Sequence, residues 1–197
     1  DKVSRKIIII QICWSVVVEI VYSCKYTYLG FNLKHDLFKD KRVRQALDFA
    51  TPKEDLINGV LLGQGQAITS IFKPETWPEN KNIKPRPYDL TAARNLLAEA
   101  GWTDTNDNGI LDKNGREFKF TLVTNQGNDQ RIKSAEIIQQ SWKQLGIEIN
   151  IEVQEWRTFI QNTLEPRNFE AIILGWSLTP EPDPYDIWHS SKQKPKE

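Results

Sequence analysis

The sequence predicts a mixed α/β layer, a sheet flanked by helices, and three observations carry that prediction. Segments with period-two apolar alternation take turns with segments of helical period. Glycine, asparagine, aspartate and proline punctuate the joins between them, and 197 residues suffice for one well-buried core.

The elements follow in order. Tyr26 to Leu33 is rich in aromatic and aliphatic residues and reads as a strand that runs out at Gly30-Phe31-Asn32. Asp40 reads as an N-cap, after which Val43, Ala46, Leu47 and Ala50 fall on one helix face, while Lys41, Arg42, Arg44 and Asp48 are expected to point to water. Thr51-Pro52-Lys53-Glu54 predicts a further helix start, with Thr51 as cap, Pro52 in the first turn and Glu54 completing a capping box, and the helix running to Leu62. Gly63-Gln64-Gly65-Gln66 ends it. The lone GxG lacks both a third glycine and a preceding strand, so it is no dinucleotide fingerprint.

Pro74, Pro78, Pro85 and Pro87 mark the stretch up to Tyr88 as a long irregular loop. Asp89 then caps a helix carrying Leu90, Ala93, Leu96, Leu97 and Ala100, stopped by Gly101. Phe118, Phe120 and Leu122 alternate as a strand. Asn128 or Asp129 opens a longer helix through Ile132, Ala135, Ile138, Trp142 and Leu145, closed by Gly146. Ile147, Ile149, Ile151 and Val153 alternate again, a short helix is expected over 156–163, and Phe169 to Trp176 reads as a last strand.

Composition narrows the function. Lys plus Arg (26) equals Asp plus Glu (26), so no global field favours nucleic acid or an anionic membrane, and no nucleic-acid partner is expected. The chain contains no Met, so it is expected to be processed, truncated or otherwise incomplete. Cys13 and Cys24 have neither CxxC spacing nor a nearby His, which argues against zinc; a disulfide between them stays open. GxSxG, HExxH and a phosphate-binding loop are all missing, and neither His35 nor His189 has a recognisable nucleophile partner, so the protein is not expected to be an enzyme.

Three segments are candidates for ligand chemistry. Asp104, Asn106 and Asn108, followed by Gly109 and Asp112, match the opening of a calcium loop. Its twelfth position is Gly115, which cannot supply the bidentate carboxylate, so no cofactor is expected and calcium stays a weak candidate. The loop Thr124 to Asn128 follows a strand and opens a helix, so the Asn125 amide and the helix N–H groups can meet a polar ligand, although capping explains Asn128 equally well. Gly175 to Pro184 carries the greatest potential: an unpaired strand edge can hydrogen-bond an extended ligand, and the Trp176 indole can pack on a peptide side chain or a sugar face. The plain alternative makes Trp176 a core residue and the prolines linker stiffeners.

Gly30-Phe31-Asn32, Phe38-Lys39-Asp40 and Arg42-Val43-Arg44-Gln45-Ala46-Leu47 together resemble the extracellular solute-binding proteins of family 5, the capture subunits of ABC importers for peptides, nickel complexes or oligosaccharides. Leu96 to Trp102, Thr121 to Ile147 and the closing Gly175 to Pro184 extend the resemblance over residues 26–191. It implies a single lobe of a type II periplasmic-binding-protein-like, two-lobed fold, the second lobe without the first, with residues 192–197 as a tail. It further implies that the lobe closes over a small solute, peptide or oligosaccharide, and works with ABC permease subunits outside the cytoplasm. By resemblance Gly175, Trp176 and Ser177 line the cleft, with Asn32 at the entry crossing. Peptide-binding members place an aspartate soon after this motif to hold the ligand's amino terminus. Here the nearest position is Thr179, with Glu181 and Asp183 beyond, which points away from a free peptide amine and leaves oligosaccharides and differently bound peptides both open.

Ile7 to Val21 does not look like the corresponding family region, and residues 1–25 are expected to be an apolar N-terminal extension of uncertain structure. Three readings compete for Ile7 to Val21. A membrane helix would need about 20 residues and would place Gln11 and Glu19 in hydrocarbon. A lipoprotein signal ending at Cys24 suits the family's anchoring, but Glu19 and Tyr22 are wrong for it. The β-branched content favours a strand or strand pair, with an aggregation hazard if exposed.

Overall fold

The computed structural model describes residues 6–9, 11–12, 15–16, 20–21, 25–72, 74, 77, 79–177, 185, 189 and 191, with backbone alone before residue 25. Cys13, Cys24, Thr179, Glu181 and Asp183 lie outside the described residues.

Four short strands, β1 (Lys6–Ile9), β2 (Gln11–Ile12), β3 (Ser15–Val16) and β4 (Ile20–Val21), precede β5 (Lys25–Phe31). The described backbone of the apolar extension is therefore in strands, as its β-branched content predicts. There follow α1 (Asp36–Lys39), α2 (Lys41–Phe49), and α3 (Lys53–Asp55), which widens into a π-helical turn over Leu56–Val60. Then come β6 (Gln66–Ala67), α4 (Leu90–Glu99), the hairpin β7 (Asp112–Lys113) and β8 (Arg116–Glu117), β9 (Lys119–Asn125) and α5 (Asp129–Lys143). The described part closes with β10 (Glu148–Gln154), α6 (Trp156–Thr158) continued by a π-helical stretch at Phe159–Leu164, and β11 (Ala171–Ser177). Among the described residues no helix is long and apolar enough to cross a membrane.

The main sheet runs β10-β9-β11-β5-β1-β4. β10, β9 and β11 are parallel, as helical crossovers require, and β5 is antiparallel to β11 along its whole length, from Ala171↔Phe31 to Ser177↔Lys25. Period-two alternation assigns the two faces. Leu29, Phe31, Phe118, Phe120, Leu122, Ile147, Ile149, Ala171 and Ile173 point into the main core beneath α2, α4 and α5. Val123, Ile172 and Leu174 point the other way, to Phe159 and Ile160 after α6. The main core is aromatic at its centre: Trp142 is fully buried and lies within 6.3 Å of Phe31 and 6.2 Å of Phe120, ring centre to ring centre. Val43, Ala46, Leu47 and Ala50 are buried as their spacing predicts.

Two local expectations are corrected. Asp48 does not point to water: it is 1% exposed, with Lys53 at 2.8 Å from one carboxylate oxygen and Arg86 at 2.7 Å from the other. Burial pushes its carboxyl above the usual range, and the two cations oppose that. The cluster clips the proline-rich loop to α2, because Arg86 also stacks over Phe49 and Lys53 donates to the Arg86 carbonyl. Thr51 does not cap the helix after it. Its hydroxyl donates to the Leu47 carbonyl at 2.7 Å and closes the end of α2 instead, leaving α3 without a side-chain cap.

Candidate functional site

Because β9, β10 and β11 are parallel, their carboxyl ends share one edge of the sheet, and the antiparallel β5 begins there. In open α/β sheets the crevice outside such an edge is the usual place for a ligand. Asn125 ends β9, Asn128 caps α5 by accepting from the Arg131 N–H, Trp156 opens α6 just after β10, and Gly175, Trp176 and Ser177 finish β11. Five candidate positions thus lie along one edge of the sheet: Asn125, Gly175, Trp176, Ser177 and, unforeseen from the sequence, Trp156, which follows β10 on the far side of β9 from β11.

β11 outruns its parallel neighbour. Its bridges to β9 are Ala171↔Leu122 and Ile172↔Val123, and β9 ends at Asn125, whereas β11 continues to Ser177 beside β5. Along 175–177 no described strand pairs with its other side, so the backbone there offers an edge. Trp176 is 44% exposed and Trp156 is 50% exposed, which removes the core-residue alternative for Trp176. By alternation, Trp176 lies on the α6 face across from Tyr26, while Gly175 and Ser177 lie on the α5 face.

The chemistry beneath this edge is polar and cationic. Arg131 donates to the Asn125 amide oxygen at 2.6 Å, and the Asn125 amide N–H₂ donates to the Gln126 carbonyl at 2.9 Å. Asn125 is buried by these bonds. Burial pushes the Tyr28 hydroxyl up to about 12, against the charge of Arg131, which pulls it down. A neutral phenol is therefore the state of Tyr28 at any physiological pH.

Asn32 is not brought to this site. It follows the opposite end of β5, where its amide N–H₂ donates to the Arg167 carbonyl at 3.2 Å and the Phe169 carbonyl at 2.9 Å, and its oxygen accepts from the Lys34 N–H. Beside it, His35 meets Glu170 at 2.9 Å, and the other Glu170 oxygen accepts from the Thr121 N–H. An open polar groove of about 630 Å³ adjoins this end on the α6 face, and much of its lining bonds to itself: Thr163 donates to Gln154, and Gln154 to Glu152.

The calcium-loop residues form a turn. Asp104 accepts from the N–H groups of Asn108 and Gly109, Asn106 accepts from Asn108, Asn108 accepts from Ile110, and Asp112 accepts from Thr105. Among the described residues no cluster of three or more His, Cys, Asp or Glu side chains is arranged to hold a metal.

Comparison with known proteins agrees with this architecture. The chain is 43% identical over 175 residues to the oligopeptide-binding protein AppA of Bacillus subtilis, covering 87% of this chain and 32% of the relative. The solved structure of that protein in complex with a nonapeptide superposes with a TM-score of 0.82 over 88% of this chain and 35% of the other. The di/tripeptide-binding protein 1 of Pseudomonas aeruginosa is 32% identical over 76% of this chain and 26% of its own length. The nickel-binding periplasmic protein of Escherichia coli is 37% identical over 64% of this chain and 24% of its own length. The chain thus spans about a third or less of these curated relatives. The family model described as bacterial extracellular solute-binding proteins, family 5 Middle, matches residues 15–197, and the chain belongs to that family.

Proposed function

We propose that this chain is a ligand-capture lobe of the solute-binding subunit of an ABC importer, acting outside the cytoplasm without catalysis, and that it takes an extended peptide along the Gly175–Ser177 edge. The observation that carries the reading is β11 running beyond β9 with a half-exposed Trp176 at its end, since an unpaired edge supplies main-chain hydrogen bonds and an indole supplies a side-chain platform. Trp156 adds a second aromatic wall at the same edge. Oligosaccharide, expected on equal terms with peptide, finds no support in the relatives, whose names specify oligopeptides, di/tripeptides, heme and nickel. Thr179 is retained as a ligand contact only on the resemblance, and Asn32 is reassigned to tying the scaffold together.

A second lobe closing over the edge would complete the site, with movement at the two crossings beside Lys25 and Ser177, which pair at this edge, and would present the closed form to the permease subunits. One lobe offers half of the contacts, so residues 26–191 alone are expected to bind peptide weakly. Calorimetry with a random nonapeptide pool tests this: tight binding by the isolated lobe would overturn the two-lobe reading, and absence of binding by the complete gene product would overturn the peptide.

A further inference from the structure

We infer that Arg131 is the positioning residue of the ligand edge: its guanidinium, held by Asn125, stands where a side chain at position 175 would stand and braces the end of β11. The inference rests on the reading of this edge as the ligand site. A Cβ built on Gly175 would lie 2.6 Å from the Arg131 Nη2 atom, closer than real Cβ contacts come, 3.0 Å from the Tyr26 carbonyl oxygen and 3.4 Å from the Thr27 hydroxyl. A side chain at 175 would therefore have to displace the guanidinium and press on the neighbouring strand. A glycine inside a strand weakens it unless something needs the space, and here the occupant is visible.

The bracing answers a mechanical need. Between Ile172 and Ser177 the strand loses its β9 neighbour and is left with β5 on one side. Arg131 takes over from the missing neighbour. It comes from the first turn of α5, whose start is fixed by the Asn128 cap, and its Nη1 donates to the Asn125 oxygen at 2.6 Å at the very end of β9. Asn125 is in turn held through the Gln126 carbonyl. One planar side chain so ties the end of β9, the start of α5 and the overhang of β11 together, and Asn125 and Gly175 become parts of that brace. An overhanging strand held in place costs a ligand less ordering on arrival than one that must be immobilised, so the brace acts on affinity.

The test uses the complete gene product and a random nonapeptide pool, with bound peptide and its dissociation rate measured for Arg131→Ala, Arg131→Lys, Gly175→Ala, the Arg131→Ala/Gly175→Ala double variant and Trp176→Ala. Arg131→Ala is expected to weaken binding about tenfold, mainly through faster dissociation. Arg131→Lys keeps the stem and charge but not the planar fork, and is expected to lose affinity as well. Gly175→Ala pushes the guanidinium off Asn125 and loses affinity on its own, but adds less than that in the double variant, where only the tighter contacts with the Tyr26 carbonyl and the Thr27 hydroxyl remain. A purely structural arginine would lower the unfolding midpoint without this non-additivity in dissociation rate. Loss of affinity in Trp176→Ala with none in Arg131→Ala, or additive losses in the double variant, overturns the brace and leaves the ligand edge standing. Unchanged affinity in both single variants overturns the ligand edge and the brace with it.

Discussion

The two ends of the β5–β11 ladder are built from the same antiparallel pair and do opposite things with their polar groups. At the end where β5 stops, Asn32 spends its amide on the Arg167 and Phe169 carbonyls and on the Lys34 N–H, and Glu170 joins His35 to the β9 backbone. At the end where β11 stops, Trp176 and Ser177 are exposed and the strand has outrun its β9 partner. The difference teaches how to separate a scaffold polar residue from a contact residue of similar chemistry. Buried backbone carbonyls must be satisfied, and an asparagine that satisfies two of them has no N–H left to donate to a ligand. Placement along one strand decides the role, and residue type does not.

Two substitutions break the comparison in opposite directions. Trp176→Ala at the open end is expected to weaken peptide binding by the complete gene product about thirtyfold, the size of a hot-spot aromatic, with unfolding free energy changed by no more than about 0.5 kcal/mol. Calorimetry and urea titration read the two quantities. Asn32→Ala at the closed end reverses the pattern: it strands two carbonyls and an N–H and should cost about 2 kcal/mol of stability, seen as a lower urea midpoint at unchanged slope, with affinity kept. If Asn32→Ala abolished binding in a stably folded protein, the two ends would not be functionally distinct.

Beneath both ends lies the shared core, where volume matters more than polarity. The Trp142 indole N–H is buried without a described acceptor, so the ring acts there as an apolar filler. Trp142→Phe is expected to cost under about 1.5 kcal/mol, since it removes an unsatisfied donor along with some volume. Calorimetric unfolding measures this cost, and a larger loss would show that the core cannot close over the volume that the indole leaves.

The helix faces were legible because they depend on local period: Val43, Ala46, Leu47 and Ala50 of the α2 stretch and Ala135, Ile138 and Trp142 of α5 are buried where the spacing places them. The strand leading to Ser177 was also legible, from the pattern of Phe169 to Trp176, while the ligand role of Gly175 to Ser177 is a proposal that the resemblance suggested. What stayed hidden depends on partners distant in sequence. Asp48 sits at a position that helical period assigns to water, and its partner Arg86 arrives from a loop 38 residues away. Thr51 reads as a cap for the helix after it, yet its hydroxyl serves the helix before it, a choice between two nearby carbonyl and N–H sets that spacing does not make. Arg131 had one signal, a glycine within a strand with no turn to explain it, but that signal names no partner. Trp156 had another, an aromatic placed right after a strand's carboxyl end.

The smallest expected effect lies just past the closed end, where Asp40 starts α2. Its carboxylate accepts from the Arg42 N–H at 2.8 Å and meets the Arg42 guanidinium at 2.7 Å, and those bonds, the side-chain one foremost, hold its carboxyl below the usual range. A carboxyl lowered in the folded state stabilises above its unfolded pKa, and that contribution is lost as pH falls from there through the folded value. Asp40→Ala is expected to cost about 1 kcal/mol near neutral pH, the value of an N-cap, and less in acid. Asp40→Asn keeps an oxygen that can cap, so it should retain most of that stability at neutral pH while flattening the acid limb. Urea midpoints of the three proteins across the carboxylate range measure this. An acid limb unchanged in Asp40→Asn would show that the cap works as a plain hydrogen bond, with no help from the charge or from Arg42.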